Sequence, residues 1–223
     1  MREELILHID WGGLGDHLFW SHIPKAAKKF GIKKVFLANA SAFRNEDYRQ
    51  IWTLNPYFDG FTGKDTDKRV PVASVPPDQN LLDFHMLGLG VDDQERFHEP
   101  EFYYQPKLRP EFQDLVIYDP NYLSGVGNIQ PDRIRWYLKN HGITVDAETP
   151  PRSKHYSLGT TRTVETPSLF DYCDMIYSAR KFLCLTSGGA TLAAALNKPS
   201  TVFFGQGQPS MFRHSRRHHY VLV

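Results

Sequence analysis

Phe182-Leu183-Cys184-Leu185-Thr186-Ser187-Gly188-Gly189-Ala190-Thr191-Leu192-Ala193-Ala194-Ala195-Leu196 passes from an apolar run through a polar glycine turn into a small-residue helix pattern, and Thr201-Val202-Phe203-Phe204 follows as a second apolar run. Short apolar runs on either side of a helical segment read as strand, helix, strand. Strands joined by such a crossover lie parallel, and a parallel sheet needs helices on both faces, which sets the class as α/β. At the turn, the glycine pair permits close backbone approach. The N–H groups of the helix start, with the hydroxyls of Thr186, Ser187 and Thr191, offer neutral donors to a diphosphate. Tight helix-to-strand packing through small residues accounts for the same glycines and alanines.

The chain opens on the same pattern. Leu5 to Asp10 is apolar, Trp11 to Gly15 is a turn, His17 to Phe30 has helical character stopped by Gly31, and Val35 to Ala38 is apolar again. The turn Gly12-Gly13-Leu14-Gly15-Asp16 places Gly13 and Gly15 where a helix start faces an anion. A dinucleotide fingerprint does not fit, because Leu18 stands at the third glycine position and Asn39 ends the second strand where an acid belongs. Asp16 has two readings: a first-turn helix cap worth about 0.5 to 2 kcal/mol, or a carboxylate at the strand's carboxyl edge that takes a proton from an acceptor hydroxyl. His17 and His22 are either polar helpers to it or coverings for the core edge.

Between about Gly60 and Pro110 the composition shifts to Pro, Gly, Asp and Lys, with one helical segment at Asn80 to Leu89. A second sheet then starts at Leu115-Val116-Ile117-Tyr118. Helical spacing recurs at Asp132 to Asn140 and at Ser168 to Ser178, and a last strand is expected at Tyr220 to Val223. Two domains follow: residues 1–110 and residues 111–223, each a small Rossmann-like unit.

Ser168 to Ile176, Ala179 to Gly188, Ala193-Ala194-Ala195-Leu196-Asn197-Lys198-Pro199 and Val202-Phe203-Phe204-Gly205 together resemble the donor-binding half of glycosyltransferase family nine, the lipopolysaccharide heptosyltransferases. Gly15-Asp16 through Pro24 is similar to that family's opening. The resemblance implies a GT-B-like fold, with two Rossmann-like domains whose parallel sheets face a central cleft. It also implies a nucleotide-sugar bound mainly by the C-terminal domain, a glycan or lipid-linked glycan acceptor and no obligatory metal or cofactor. Carried over by position, Asp16 is the general base, and Thr186, Ser187, Gly188 and Gly189 line the donor phosphates. Thr186 stands where the family usually has Asp, and Thr191 where it usually has His. A noncatalytic nucleotide-sugar or glycan binding protein on the same scaffold is the alternative these departures raise.

Lys+Arg 26 against Asp+Glu 25 leaves a net charge of +1, so no global field recruits nucleic acid. Leu5 to Ile9 is too short for a signal or membrane segment, and the expected location is cytoplasmic. Cys173 and Cys184 sit in apolar stretches and read as small buried hydrophobes. Asp65-Thr66-Asp67 resembles a metal-binding Asp-x-Asp but lies among Lys64, Lys68 and Arg69 as a charged loop would. The cluster Arg213-His214-Ser215-Arg216-Arg217-His218-His219 is a candidate for diphosphate contact through Arg213 or for peripheral contact with an anionic membrane; a plain approach to the last strand is the other reading. Asn128 and Tyr122 follow the first strand of the second half and are candidate ligand contacts, or parts of a loop capping the next helix. Glu165 is placed, by position alone, within reach of a ribose.

Overall fold

The computed structural model describes residues 3–64, 66, 75–76 and 78–223. The chain divides into two compact units, Met1–Tyr104 and Gln105–Val223. In the first, strands β1 (Glu4–Leu7), β2 (Lys34–Ala38) and β3 (Gly60–Thr62) form a parallel sheet in the order β1-β2-β3. Leu5 and Leu7 of β1 and Val35 and Leu37 of β2 are fully buried, so alternate residues of both strands feed one core.

The stretch expected as one helix from His17 to Phe30 is two: α1 (Leu14–Trp20) and α2 (Ile23–Lys29). Pro24 is the reason. It lacks an N–H and stands in the first turn of α2, where none is needed, while Ser21 closes α1 with its hydroxyl on the Leu18 carbonyl at 2.7 Å. Gly31, at φ +82°, ends α2. Helices α3 (Arg49–Thr53) and α4 (Leu81–Leu89) complete this unit. Helix α4 starts on a reciprocal cap, with Asn80 Oδ1 accepting from Asp83 N–H and Asp83 Oδ2 from Asn80 N–H, both at 3.0 Å.

The second unit holds β4 (Val116–Asp119), β5 (Asn121–Tyr122), α5 (Pro131–Asn140), β6 (Ala147–Glu148), β7 (Lys154–His155), α6 (Leu169–Ser178), β8 (Lys181–Leu185), α7 (Gly188–Ala195), β9 (Thr201–Phe204) and β10 (His219–Leu222). Five strands make a parallel sheet in the order β10-β9-β8-β4-β6, and β5 pairs antiparallel with β7. From β4 the chain first crosses to β6 on one side and later returns to β8 on the other. This strand-order reversal is a topological switch point, and ligands of open α/β sheets bind at the carboxyl ends of the two strands that flank it. Tyr118, Leu183, Leu185 and Phe203 are almost fully buried in this unit's core, each contributing about 1.5 to 3 kcal/mol. The rigid platform under that edge is therefore apolar.

The stretch 105–110 lies with the second unit, because Lys107 N–H donates to Asp174 Oδ1 and Arg109 N–H to Ser178 Oγ, both on α6 and both at 2.8 Å.

Candidate active site

In the first unit the chain leaves β1, passes Ile9, whose N–H donates to Ser41 Oγ at 3.2 Å, and turns at Gly12. Gly12 is at φ +69°, and a Cβ there would lie 2.7 Å from the Ala42 backbone, so only glycine fits. Arg44 clasps the turn by donating its N–H to Gly12 O at 2.9 Å and its Nε–H to Trp11 O at 3.0 Å. Gly13, expected to face an external anion, gives its N–H to the chain's own Asp16 Oδ2 at 2.8 Å, while Gly15 occupies the first turn of α1. The cap reading of Asp16 is thus realised. The side chain nonetheless stays half-buried rather than enclosed. Burial raises its carboxyl above its ordinary value, and the Gly13 N–H and the nearby Arg44 charge offset only part of that shift.

The histidines beside it belong to the core. His17 is fully buried, accepts the Trp52 indole N–H on Nδ1 at 3.0 Å and stacks on Phe43 with ring centroids 4.3 Å apart. Burial pushes it down to about 4, against the weaker opposing pull of the Ala42 backbone carbonyl. His22 is likewise buried and pushed down to about 3, first by burial and then by His98 and His85. Both stay neutral at pH 7, so neither supplies a positive charge there.

In the second unit the carboxyl ends of β4 and β8 bring together Asp119 and the Thr186–Gly189 turn. Ser187 caps α7, its Oγ accepting from Gly189 N–H at 3.3 Å. Ser187 and Gly188 are half-buried and accessible, and they open the helix whose first N–H groups have no intrahelical partner. Gly189 is fixed by packing, since a Cβ there would lie 2.8 Å from Asp119 Oδ2 and still closer to the Tyr172 hydroxyl. Asp119 is 4% exposed and organises the ground beneath the helix. Its Oδ1 accepts from Asn121 N–H (3.1 Å), Asn121 Nδ2 (2.8 Å) and Thr149 Oγ1 (2.7 Å), and its Oδ2 accepts from the Tyr172 hydroxyl.

The threonine hydroxyls expected at the donor phosphates are spent on the backbone. Thr186 Oγ1 donates to Phe203 O at 3.1 Å and Thr191 Oγ1 to Ser187 O at 3.3 Å, and Thr191 is 1% exposed. They hold β8 to β9 and close the first turn of α7, so this turn faces outward through Ser187 and Gly188.

The loops beyond β4 and β9 lock together. Gly205 N–H donates to Val126 O at 2.7 Å, Asn128 N–H donates to Gln206 O at 2.9 Å, and Gly205 and Gly127 approach so closely that a Cβ on either would lie 2.3 Å from the facing backbone. Asn128 is exposed on this seam, and Arg213 lays its guanidinium 4.6 Å over the Phe204 ring at the end of β9. Arg152, absent from the sequence reading, lies exposed with its guanidinium 5.0 Å over the Tyr172 ring, anchored to Thr166 O at 3.2 Å. Two arginines therefore stand at this carboxyl edge. Glu165 is exposed ahead of α6. His214, Ser215 and His218 of the basic cluster are buried, with His218 Nε2 bonded to Ala190 O at 2.8 Å, while Arg216, Arg217 and His219 are exposed, so the stretch packs its buried histidines toward α7 and leaves two arginines on the surface. Cys173 and Cys184 are free and buried. Asp65 and Asp67 of the Asp-x-Asp lie outside the described residues.

No protein-family model matches the sequence, and no curated protein matches it. The fold is similar to that of a glycosyl transferase family 9 protein from Veillonella parvula, over 99% of this chain and 85% of that one, with a TM-score of 0.62 at 10% identity. It is similar to the Escherichia coli ADP-heptose lipopolysaccharide heptosyltransferase II over 99% and 90%, with a TM-score of 0.63 at 12% identity. It is also similar to the dodecameric iron-containing heptosyltransferase TibC of enterotoxigenic E. coli, solved in complex with ADP-D-beta-D-heptose, with a TM-score of 0.66 at 15% identity. The match takes in 97% of this chain and 63% of TibC. At these identities the shared property is the fold, and it is the α/β, GT-B-like fold of the family that the sequence resembles.

Proposed function

We propose that this chain is a glycosyltransferase that moves a sugar from a nucleotide-activated donor to a hydroxyl of a glycan or lipid-linked glycan, by direct displacement and without a metal in the transfer step. Asp16 carries the proposal: a half-buried carboxylate on a strand-to-helix turn, with its pKa raised by burial. In the step assigned to it, the acceptor oxygen bonds to the anomeric carbon and its proton passes to Asp16. The bond from that carbon to the diphosphate breaks, and the diphosphate leaves with the electron pair. By the family resemblance the leaving group is assigned to the start of α7, where Ser187 and Gly188 are half-buried and the positive end of the helix favours an anion. Arg152 and Arg213 add the charge that a metal supplies in other transferases.

The similar folds include a protein solved with ADP-D-beta-D-heptose, which supports a nucleoside-diphosphate sugar as the donor. Among the described residues no helix is long and apolar enough to cross a membrane. A cytoplasmic site of action, with peripheral contact where lipid-linked acceptors lie, accompanies the proposal.

Turnover of a panel of nucleoside-diphosphate sugars by the native chain and by Asp16→Asn is the test. Native-level turnover in the variant would remove Asp16 from the mechanism. The engagement of the Thr186 and Thr191 hydroxyls with backbone carbonyls favours a second reading, a nucleotide-sugar binding protein without transfer activity. Calorimetric binding of a donor with no turnover across glycan acceptors would establish that reading instead.

A further inference from the structure

We propose that Asp93, Glu95 and His98 form a binding site for a divalent transition-metal ion, with Asp83 as the carboxylate that orients the histidine. The three side chains each offer one ligand atom, and these atoms all lie within 4.8 Å of one another. His98 Nε2 is 3.2 Å from Asp93 Oδ1. That separation is close to the edge, about 3.3 Å, of a ligand tetrahedron with bonds of about 2.0 to 2.1 Å.

What separates this group from a chance meeting of surface acids is what stands behind His98. Asp83, on α4 and 1% exposed, accepts from His98 Nδ1 at 2.5 Å and from His98 N–H at 3.0 Å on one oxygen, and from Phe97 N–H at 2.8 Å and Asn80 N–H at 3.0 Å on the other. The Asp83 carboxylate holds Nδ1, and without a metal Nε2 faces the Asp93 carboxylate, 3.2 Å from Oδ1 and 3.3 Å from Oδ2, so the ion takes the place of a proton between Nε2 and Asp93. A carboxylate–histidine pair of this kind presets ring and tautomer for a metal. The His22 ring also packs against His98, with centroids 5.9 Å apart.

Charge points the same way. Asp83, Asp93 and Glu95 bring three carboxylates to one imidazole, and the adjacent Arg96 is committed to Asp92 Oδ1 at 2.9 Å and to the Glu95 carbonyl. Gln94 and Phe97 adopt left-handed backbone, φ +68° and +62°, and so fold this short loop until its ligands converge. One imidazole nitrogen with two carboxylates suits Zn²⁺ or its first-row neighbours and disfavours Mg²⁺, which prefers oxygen alone. The ion's role is to fasten the 92–98 loop to α4, independently of the sugar-transfer reading.

Isothermal titration of the chelator-treated full chain with Zn²⁺, and separately with Mg²⁺, tests the site. The expected result is one Zn²⁺ per chain, bound at least about tenfold more tightly than Mg²⁺. Asp83→Asn weakens Zn²⁺ by about 10- to 100-fold, and the surface pair Asp93→Asn/Glu95→Gln abolishes stoichiometric binding. Because Asp83 also caps α4, the Asp93/Glu95 variant, checked for native circular dichroism, decides the matter if Asp83→Asn fails to fold. Absence of stoichiometric Zn²⁺ binding to the native chain, or unchanged binding in both His98→Ala and Asp93→Asn/Glu95→Gln, overturns the proposal.

Discussion

At the first glycine turn the carboxylate stands on the helix, half-buried, accepting the Gly13 N–H; at the second it stands on the strand, 4% exposed beneath the helix start, and both its oxygens are engaged. The topology is the same, a strand ending in glycines that open a helix. The roles diverge because solvent and hydrogen bonding diverge. Asp119 joins β4, Asn121 and α6 through Thr149, Asn121 and Tyr172, and its oxygens are spent on that network. Asp16 retains room for a partner. An acid at the carboxyl edge of a strand is therefore not in itself a catalytic sign; accessibility and an oxygen left without a fixed partner are what distinguish one that can meet a substrate.

The largest effect is expected at Asp16. Asp16→Asn should lower kcat/KM by about 10²- to 10⁴-fold while leaving donor Kd and the thermal midpoint nearly unchanged, since the amide oxygen still accepts the Gly13 N–H. Steady-state kinetics set against calorimetry make that split visible, and a loss in stability alone would make the two turns alike after all. Next is Asp119→Ala, which strands the Asn121 backbone N–H, the Thr149 hydroxyl and the Tyr172 hydroxyl in a buried place. Urea unfolding should report a loss of roughly 3 kcal/mol or more. Gly12→Ala and Gly189→Ala each drive a Cβ into fixed atoms, the Ala42 backbone in one case and the Tyr172–Asp119 pair in the other, and each should cost about 1 to 3 kcal/mol.

A pH effect, modest for each group taken singly, comes from the histidines that both units bury neutral: His17, His22 and His85 in the first and His214 and His218 in the second, with His22 and His214 pushed down to about 3 and the others to about 4, chiefly by burial. Their folded values lie below the unfolded value of 6.5. The unfolded chain thus takes up protons first, and stability is full above about pH 6.5 and falls as pH drops toward 4, by about 1.4 kcal/mol per pH unit for each such histidine. A thermal midpoint that held steady from pH 7 to pH 4.5 would contradict that burial. The smallest change is expected for Thr191→Val, about 1 kcal/mol or less in stability with donor Kd within about twofold. A large loss of donor affinity would instead bring that hydroxyl to the ligand and make the second turn the more reactive of the two.

The strands of both sheets were legible wherever apolar runs of four or more met a turn signal, as at Lys181–Leu185 and Thr201–Phe204. β3 and β6 were not, because Gly60–Thr62 and Ala147–Glu148 are too short to show alternation and are recruited only as edges by strands already in place. Pro24 lay in plain sight inside the supposed long helix; its weight as a first-turn residue should have divided it. Asp16 and Ser187 could be read as helix starts because capping is local in sequence. The fate of the Thr186 hydroxyl could not, since it is decided by the Phe203 carbonyl on another strand. Arg152 and the His98–Asp83 pair escaped for the same reason, being assembled across the fold from loops with no motif of their own.

The backbone seam in which Gly127 and Gly205 press against each other bears on how this edge can diversify. Loops at the carboxyl ends of α/β strands ordinarily change by insertion and deletion, which is how one scaffold comes to serve many ligands. Here the two loops are bonded main chain to main chain through Val126, Asn128, Gly205 and Gln206, at distances that admit no added atom. Lengthening either one would unfasten both. New specificities in descendants of this chain would therefore arise by exchange of side chains such as Asn128, Arg152 and Arg213 on a fixed frame, giving a lineage whose sequences drift at this edge while their lengths there do not.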